Sequence, residues 1–202
     1  HALRALNRNT AGFFLLVEGS QVDWASHKKS VPGVISEMED FVAAIRTVMD
    51  FAKNQGDTLV IVTADHETGG MSLGRDDIYR WNPQPVHGVS GTPKGMTNRY
   101  LASDLSLSSI VAAGVSFELT DVEKWALDAT DREEDEARQA ISALFNRRTV
   151  TGWSSTGHTG LDVPLYAYGP GREAFHGVMT NEVLGQVMWK VFLTGSDIPA
   201  NH

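Results

Sequence analysis

The sequence predicts an α/β fold, with a mostly parallel central sheet and helices on both of its faces. Short apolar runs at residues 12–17 and 58–63 have the composition of strands that are buried on both sides. Between them, apolar residues recur at three- and four-residue steps, as in an amphipathic helix. The order strand, helix, strand is the crossover unit of a parallel sheet, so both strands are expected to end at one edge.

The elements of this unit follow in chain order. The run GFFLLV at 12–17 predicts an interior strand and is followed directly by Glu18. The helical pattern covers residues 34–52, with Pro-Gly before it and Asn-Gln-Gly after it. The run TLVIVT at 58–63 predicts the second strand and leads into Asp65 and His66. Glu18 and the Asp65–His66 pair are therefore expected at the same sheet edge, where open α/β sheets bind ligands.

The remainder of the chain alternates irregular and helical patterns. Residues 69–99 are rich in proline and glycine and predict a long surface excursion. A run at 163–168 predicts a third strand. Asp131 and Glu134 have the spacing of a capping box. Helices are predicted over residues 104–113, 121–129, 131–145 and 183–192.

Composition excludes several classes of function. The formal net charge is −8, which is unsuited to coating nucleic acid or an anionic membrane, so no nucleic-acid binding role is expected. No apolar run approaches the roughly 18 residues of a membrane span. The sequence has no cysteine, so His, Asp and Glu must hold any metal ion.

The first cluster of candidate ligands is Glu18, Asp23 and His27 in the segment EGSQVDWASH. We expect all three on one loop at the active edge of the sheet. Aspartate and histidine suit zinc, whereas a separate carboxylate such as Glu18 suits magnesium, which prefers oxygen ligands. The spacing equally fits ordinary polar residues of a surface loop and helix cap.

The second cluster is Asp65 and His66 in the segment TADHETGG, directly after the second predicted strand. The two side chains can turn toward one ion once the strand yields to a loop, and the glycines allow that turn. The alternative is a core histidine beside an aspartate that caps a helix. Two such clusters at one sheet edge favour a metal site.

Three motifs together resemble the alkaline phosphatase family. They are VEGSQVDWASH, TLVIVTADHETGG, and Thr156-Gly-His158-Thr-Gly ahead of VPLYAYGPG, in the order in which the family has them. The resemblance covers most of the chain outside about residues 74–153. It implies that residues 1–202 are the C-terminal portion of one alkaline phosphatase-like domain, whose fold is incomplete in this chain. Residues of about 74–153 are then an irregular and helical insertion.

The resemblance also implies a set of metal ligands. Asp23, His27 and His158 would hold one Zn²⁺ ion, Asp65 and His66 a second, and Glu18 would bind one Mg²⁺ ion. His158 enters this set through the resemblance alone, because its local sequence pattern is that of a loop histidine.

The implied activity is hydrolysis of phosphate monoesters through a phosphoserine intermediate. The family's nucleophilic serine and phosphate-binding arginine belong to its N-terminal half, and neither has a match here. We interpret the serines near the ligand motifs as loop residues: Ser20, Ser26, Ser154 and Ser155. The start at His1 without Met adds to the expectation of a missing N-terminal segment of the same enzyme.

The resemblance further implies a homodimer in the periplasm or secreted from the cell. Two other functions remain open: a metal-dependent relative that acts on phosphodiesters or sulfate esters, and a non-catalytic metal-binding module. Trp24, beside the ligand Asp23, either packs over the metal loop or tunes phosphate contacts. His87 and His176 lie outside the matched motifs and are expected to be solvent or loop residues.

Overall fold

The structure, a computed structural model, describes residues 1–194. They form two compact units. Unit 1 contains His1–Glu18, Phe41–Glu67 and the described residues from Gly160 onward. Unit 2 contains Gly19–Asp40 and Thr68–Thr159.

Groups of helices and groups of short strands follow one another along the chain. The helices are α1 (Ala2–Leu6), α2 (Ser20–His27), α3 (Val31–Gln55), α4 (Pro93–Leu101), α5 (Leu107–Gly114), α6 (Asp121–Asp128), α7 (Glu134–Thr149) and α8 (Asn181–Thr194). The strands are β1 (Val60–Val62), β2 (Glu67–Thr68), β3 (Met71–Leu73), β4 (Thr151–Trp153), β5 (His158–Thr159) and β6 (Tyr166–Tyr168). None of the helices in residues 1–194 has the length and apolar character that crossing a membrane requires.

The sheet of unit 1 consists of β1 and β6. The two strands are antiparallel, and Ile61 lies opposite Ala167. Beyond the end of β1, the Thr63 hydroxyl donates a hydrogen bond to the Pro164 carbonyl at 3.2 Å. The strands predicted at 58–63 and 163–168 are thus both present, and they pair with each other.

The strand predicted at residues 12–17 is wrong. These residues form no strand in the structure, and Phe14 and Leu16 are 59% and 79% exposed. Phe13 contacts Phe51 and Phe14 contacts Phe192, each with ring centroids 6.2 Å apart. A run of this kind becomes an interior strand only when strands pair with it on both sides, and none within residues 1–194 does so.

The predicted parallel pairing therefore differs from what the described residues show. Every sheet among them has two strands. The β1–β6 pair and the β3–β4 pair are both antiparallel. The crossover helix that should link two parallel strands is present as α3, and it ends before Gly56, whose φ of +80° suits a helix terminus.

The hydrophobic core of unit 2 lies among α4, α5, α6 and α7. Its side chains include six that are at most 1% exposed: Met96, Leu107, Val111, Ile141, Leu144 and Phe145. The three helices predicted within residues 104–145 are all present, although their ends are shifted by a few residues. Residues 74–153 therefore supply a packed helical core as well as irregular segments.

Helix α4 lies in the stretch that the sequence predicted to be irregular. Its N-cap is Thr92, whose side chain accepts a hydrogen bond from the Gly95 amide. Pro93 occupies the first turn, where a proline has no hydrogen bond to lose. Pro93 and Gly95, which the sequence pattern assigns to an irregular segment, thus lie in the first turn of a helix.

The sequence predicts a capping box at the start of α7, but the structure has it at the start of α6. Thr120 caps α6, and its side chain and that of Glu123 form the two reciprocal hydrogen bonds. Helix α7 begins after Glu133, which makes no capping bond through its side chain. Asp131 and Glu134 therefore have the right spacing but lie two residues before the positions that a capping box at this helix start requires.

Arg148 of α7 forms an ion pair with Glu123 at the start of α6. Its Nε and Nη2 atoms donate to the two carboxylate oxygens at 2.7 and 2.6 Å. This pairing lowers the pKa of the Glu123 carboxyl from 4.5 to about 2. Because the folded-state pKa lies below the unfolded one, the stabilisation is present above about pH 4.5 and is lost as the pH falls toward 2.

The Glu123→Gln variant is expected to lower the free energy of unfolding by about 1–2 kcal/mol at pH 7, and by less at pH 3. Glutamine keeps one oxygen that can accept the capping bonds, but it loses the charge and replaces the oxygen that accepts from Arg148 Nε with an amide donor. Denaturant unfolding of variant and wild type at both pH values measures the difference. Glu134→Gln, an exposed position on α7, serves as the control. An equal loss at both pH values would attribute the effect to packing instead of charge.

Candidate metal centre

Helix α2 presents Asp23 and His27 on one face. The sequence analysis expected these residues on a loop, but Ser20–His27 is a helix, and residues four apart on a helix are neighbours. His27 Nε2 lies 3.4 Å from Asp23 Oδ1. Both side chains are about one third exposed, at 32% and 34%, so an ion from solvent can reach them.

His158 joins this pair from the first position of β5. Its Nε2 atom lies 3.9 Å from Asp23 Oδ1, and its ring centroid lies 5.1 Å from that of His27. Unit 2 therefore brings together the three residues that the resemblance assigned to one zinc ion. The chemistry of the set, one carboxylate and two imidazoles, is that of a zinc site.

The separations of the two histidine nitrogens from Asp23 Oδ1 also fit zinc. Ligand bonds of about 2.0–2.2 Å arranged as a tetrahedron place neighbouring donor atoms about 3.4 Å apart. The observed 3.4 and 3.9 Å are close to that value. Three protein ligands leave the fourth position open, as in catalytic zinc sites and unlike structural ones.

The His27 ring is oriented by a backbone carbonyl. Its Nδ1 atom lies 2.6 Å from the Thr156 oxygen, and a carbonyl can only accept. Nδ1 therefore carries the proton, and Nε2, the nitrogen nearer Asp23, keeps its lone pair for a metal ion. The stretch that provides the carbonyl also contains the candidate ligand His158.

A tight turn after β2 secures this stretch. The Gly69 amide donates to the Gly157 carbonyl at 2.9 Å, and the Gly69 carbonyl accepts from the Ser154 amide at 3.0 Å. Gly69 has a φ of +89°, and a Cβ there would lie 2.7 Å from the Trp153 ring. Only glycine meets both conditions.

Trp153 ties the turn to the packed part of unit 2. It pairs with Met71 in the β3–β4 sheet. Its indole Nε1 donates to the Asn146 side chain on α7 at 3.0 Å. The segment that carries His158 is thus anchored to a helix of the hydrophobic core.

The other predicted ligands lie in unit 1. Asp65 and His66 follow β1, and His66 Nε2 lies 3.3 Å from Asp65 Oδ2. Asp65 is 85% exposed and His66 is 30% exposed. Glu18 lies two residues before the start of α2 and is exposed. All three offer donor atoms that suit a divalent cation.

Several residues near the motifs have structural roles. The Ser26 hydroxyl donates to the Val22 carbonyl at 2.9 Å, and Ser155 Oγ accepts from the Gly157 amide at 2.9 Å.

Trp24 is 61% exposed, so little of its indole is buried by packing. His87 and His176 are exposed, which agrees with the expectation of solvent or loop positions.

A family model described as alkaline phosphatase matches residues 1–194. The chain belongs to the alkaline phosphatase family. The match extends across residues 74–153, which the three motifs alone had left outside the resemblance. The helical core of unit 2 is therefore part of the alkaline phosphatase match.

Known alkaline phosphatases show how much of the family the chain represents. Alkaline phosphatase 3 of Bacillus subtilis (strain 168) is 41% identical over 194 residues, which are 94% of this chain and 42% of the relative. The cold-active alkaline phosphatase of Shewanella sp. superposes with a TM-score of 0.89 at 33% identity, covering 95% of this chain and 48% of that one. The alkaline phosphatase-like fold class is thus confirmed, and the chain spans less than half the length of these relatives.

A third relative bears on magnesium. A mutant of TAB5 alkaline phosphatase, whose structure has Mg bound in its M3 site, superposes with a TM-score of 0.57 at 28% identity. The superposition covers 95% of this chain and 39% of the TAB5 chain. The alkaline phosphatase relatives thus include one with bound magnesium.

Two positioning contacts were missed by the sequence analysis. The Thr156 carbonyl contacts the candidate ligand His27, and the Thr68 hydroxyl donates to Oδ1 of the candidate ligand Asp23 at 2.6 Å. A backbone carbonyl leaves no trace in a sequence. Thr68 stands three residues after Asp65, in the motif DHETGG, and its hydroxyl was the one available signal.

Proposed function

We propose that this chain is the metal-binding C-terminal portion of an enzyme that hydrolyses phosphate monoesters through a phosphoserine intermediate. The observation that carries the proposal is that His27 Nε2 and His158 Nε2 lie 3.4 and 3.9 Å from Asp23 Oδ1, separations suited to ligands of one zinc ion. Membership of the alkaline phosphatase family supports the reaction class.

The proposed site contains two Zn²⁺ ions and one Mg²⁺ ion. Asp23, His27 and His158 hold the first zinc ion. Asp65 and His66 hold the second, and Glu18 binds magnesium through its carboxylate. The TAB5 relative with bound Mg supports a magnesium ion in this assignment.

Zinc at such ligands supplies Lewis-acid stabilisation of the negative charge that develops on oxygen during phosphoryl transfer. The residues of this chain prepare that role. The Thr156 carbonyl fixes the proton of His27 on Nδ1, which leaves Nε2 as a ligand. The net charge of −8 makes bound cations necessary for attracting an anionic phosphate ester to this chain.

The nucleophilic serine and the phosphate-binding arginine are proposed to lie in an N-terminal segment of the same enzyme. Support comes from the relatives, of which this chain spans 42%. The exposed apolar residues Phe14 and Leu16 are suited to cover by further strands. We also propose that the enzyme is a homodimer located in the periplasm or secreted.

The longest natural polypeptide that contains residues 1–202 is expected to bind two zinc ions and one magnesium ion per chain. It should hydrolyse p-nitrophenyl phosphate faster than bis(p-nitrophenyl) phosphate or p-nitrophenyl sulfate. Elemental analysis after dialysis and initial rates on the three esters measure both properties.

Each alternative has a distinct outcome in this experiment. Faster turnover of the diester or of the sulfate would assign the site to a phosphodiesterase or sulfatase relative. Absence of both bound metal and hydrolysis would assign the chain to a non-catalytic module.

A further inference from the structure

We propose that Thr68 is a positioning residue for the zinc ligand Asp23. Its hydroxyl donates a hydrogen bond to Asp23 Oδ1 and holds that oxygen in the direction of His27 and His158. The proposal rests on the zinc site of the proposed function and adds to it a residue outside the ligand set.

One oxygen atom of Asp23 is the common point of the geometry. Oδ1 lies 2.6 Å from Thr68 Oγ1, 3.4 Å from His27 Nε2 and 3.9 Å from His158 Nε2. An ionised carboxylate can only accept, so the threonine hydroxyl is the donor. Hydrogen bonds to an ionised acceptor are short and about twice as strong as neutral ones, and 2.6 Å is in that range.

The hydroxyl matters because burial alone does not fix the orientation of the Asp23 side chain. Its side chain is 34% exposed on helix α2, so water competes for its oxygens and several rotamers are accessible. Thr68 is β-branched and stiff about its first side-chain torsion. A hydrogen bond from a stiff residue restricts the carboxylate to the rotamer that faces the two histidines.

The backbone of Thr68 is itself fixed. The Gly69 carbonyl accepts from the Ser154 and Ser155 amides at 3.0 and 3.1 Å, and the Gly69 amide donates to Gly157. These bonds join the residue after Thr68 to the stretch that leads into His158. Hydrogen bonds of Thr68 and Gly69 therefore connect Asp23 on α2 to the stretch before His158 on β5.

The test compares Thr68→Val, which removes the hydroxyl at nearly constant shape, with Thr68→Ser, which keeps it. Zinc affinity is measured by competition with a chromogenic chelator, in the longest natural polypeptide that contains residues 1–202. Thr68→Val is expected to weaken zinc binding by roughly 10-fold or more, the range known for partners of metal ligands. Thr68→Ser should stay within about threefold of wild type, because it preserves the donor.

Two further variants complete the design. Thr130→Val is the matched control, because its hydroxyl donates to the Ala126 carbonyl at 3.2 Å and touches no proposed ligand. Its zinc affinity should equal that of wild type. Thr68→Ala adds no bulk, should lose as much affinity as the valine variant, and replaces it if valine prevents folding.

The outcomes separate this proposal from the one on which it rests. Wild-type affinity in both Thr68→Val and Thr68→Ala would overturn the role of Thr68 and leave the zinc site standing. Equal weakening in the serine and valine variants would also overturn it, because the hydroxyl would then not be the group that matters. A wild-type protein without zinc affinity would overturn the zinc site together with this role.

Discussion

Replacing Asp23 with alanine is expected to weaken zinc binding by more than about 100-fold, beyond the loss caused by removing a ligand's partner. Hydrolysis of phosphate monoesters should fall with it. Asp23 Oδ1 is the single carboxylate oxygen near both His27 and His158 in the first proposed zinc site. Without it the ion would have two neutral ligands and no charge to offset its own.

The measurement combines zinc content after dialysis with rates on p-nitrophenyl phosphate over a range of added zinc. The expected signature is activity that partly recovers as zinc is raised, because the loss is one of affinity. Asp104→Ala removes an exposed carboxylate of the same unit and should change neither property. Full zinc content together with normal activity in Asp23→Ala would show that Asp23 is not a ligand.

The chain of 202 residues on its own is expected to turn over phosphate monoesters at least about 10³-fold more slowly than the longest natural polypeptide that contains it. Loss of the nucleophile alone has an effect of that order or larger in enzymes with covalent catalysis. The described serines near the motifs support this expectation, since Ser26 and Ser155 are engaged in local hydrogen bonds.

Exposed apolar surface predicts a second difference between the two polypeptides. Leu16 and Val17 are 79% and 50% exposed directly before Glu18. A segment of this composition without paired neighbours favours aggregation. The isolated chain is therefore also expected to be less soluble, which sedimentation after purification can measure.

The two polypeptides are compared with zinc and magnesium in excess, at equal concentrations of folded protein. Adding the segment that precedes residue 1, as a separate polypeptide, should restore part of the activity if it supplies the nucleophile. Comparable rates for the short and long polypeptides would contradict the proposal. A serine within residues 1–202 would then be the nucleophile, and alanine replacement of Ser154 would be the first variant to make.

The sequence predicted well the elements that local contacts decide. Helix α3 and strand β1 were found because their periodicity and composition leave one interpretation. The strand at 12–17 was not formed, because strand formation depends on neighbours that no local pattern reveals. Helix α4 was missed because Pro93 was taken as a breaker, whereas in the first turn a proline is compatible with the helix.

In the candidate site, too, local spacing predicts some neighbours and not others. The i, i+4 spacing of Asp23 and His27 is a helical signal that could have placed both on α2. His158 lies far along the chain from both, so spacing could not connect it to them, and only the family motif did. The ligand roles of all six residues stay predictions: Glu18, Asp23, His27, Asp65, His66 and His158.

The stretch from Thr156 to His158 contributes twice to the candidate site. The Thr156 carbonyl orients the His27 ring, and the same stretch contains His158. An insertion or deletion of even one residue there would shift one proposed ligand and the support of a second proposed ligand at once. Surface loops usually tolerate changes of length well. This one should be intolerant, so natural variants of the family that keep the zinc chemistry are expected to vary in loop length elsewhere.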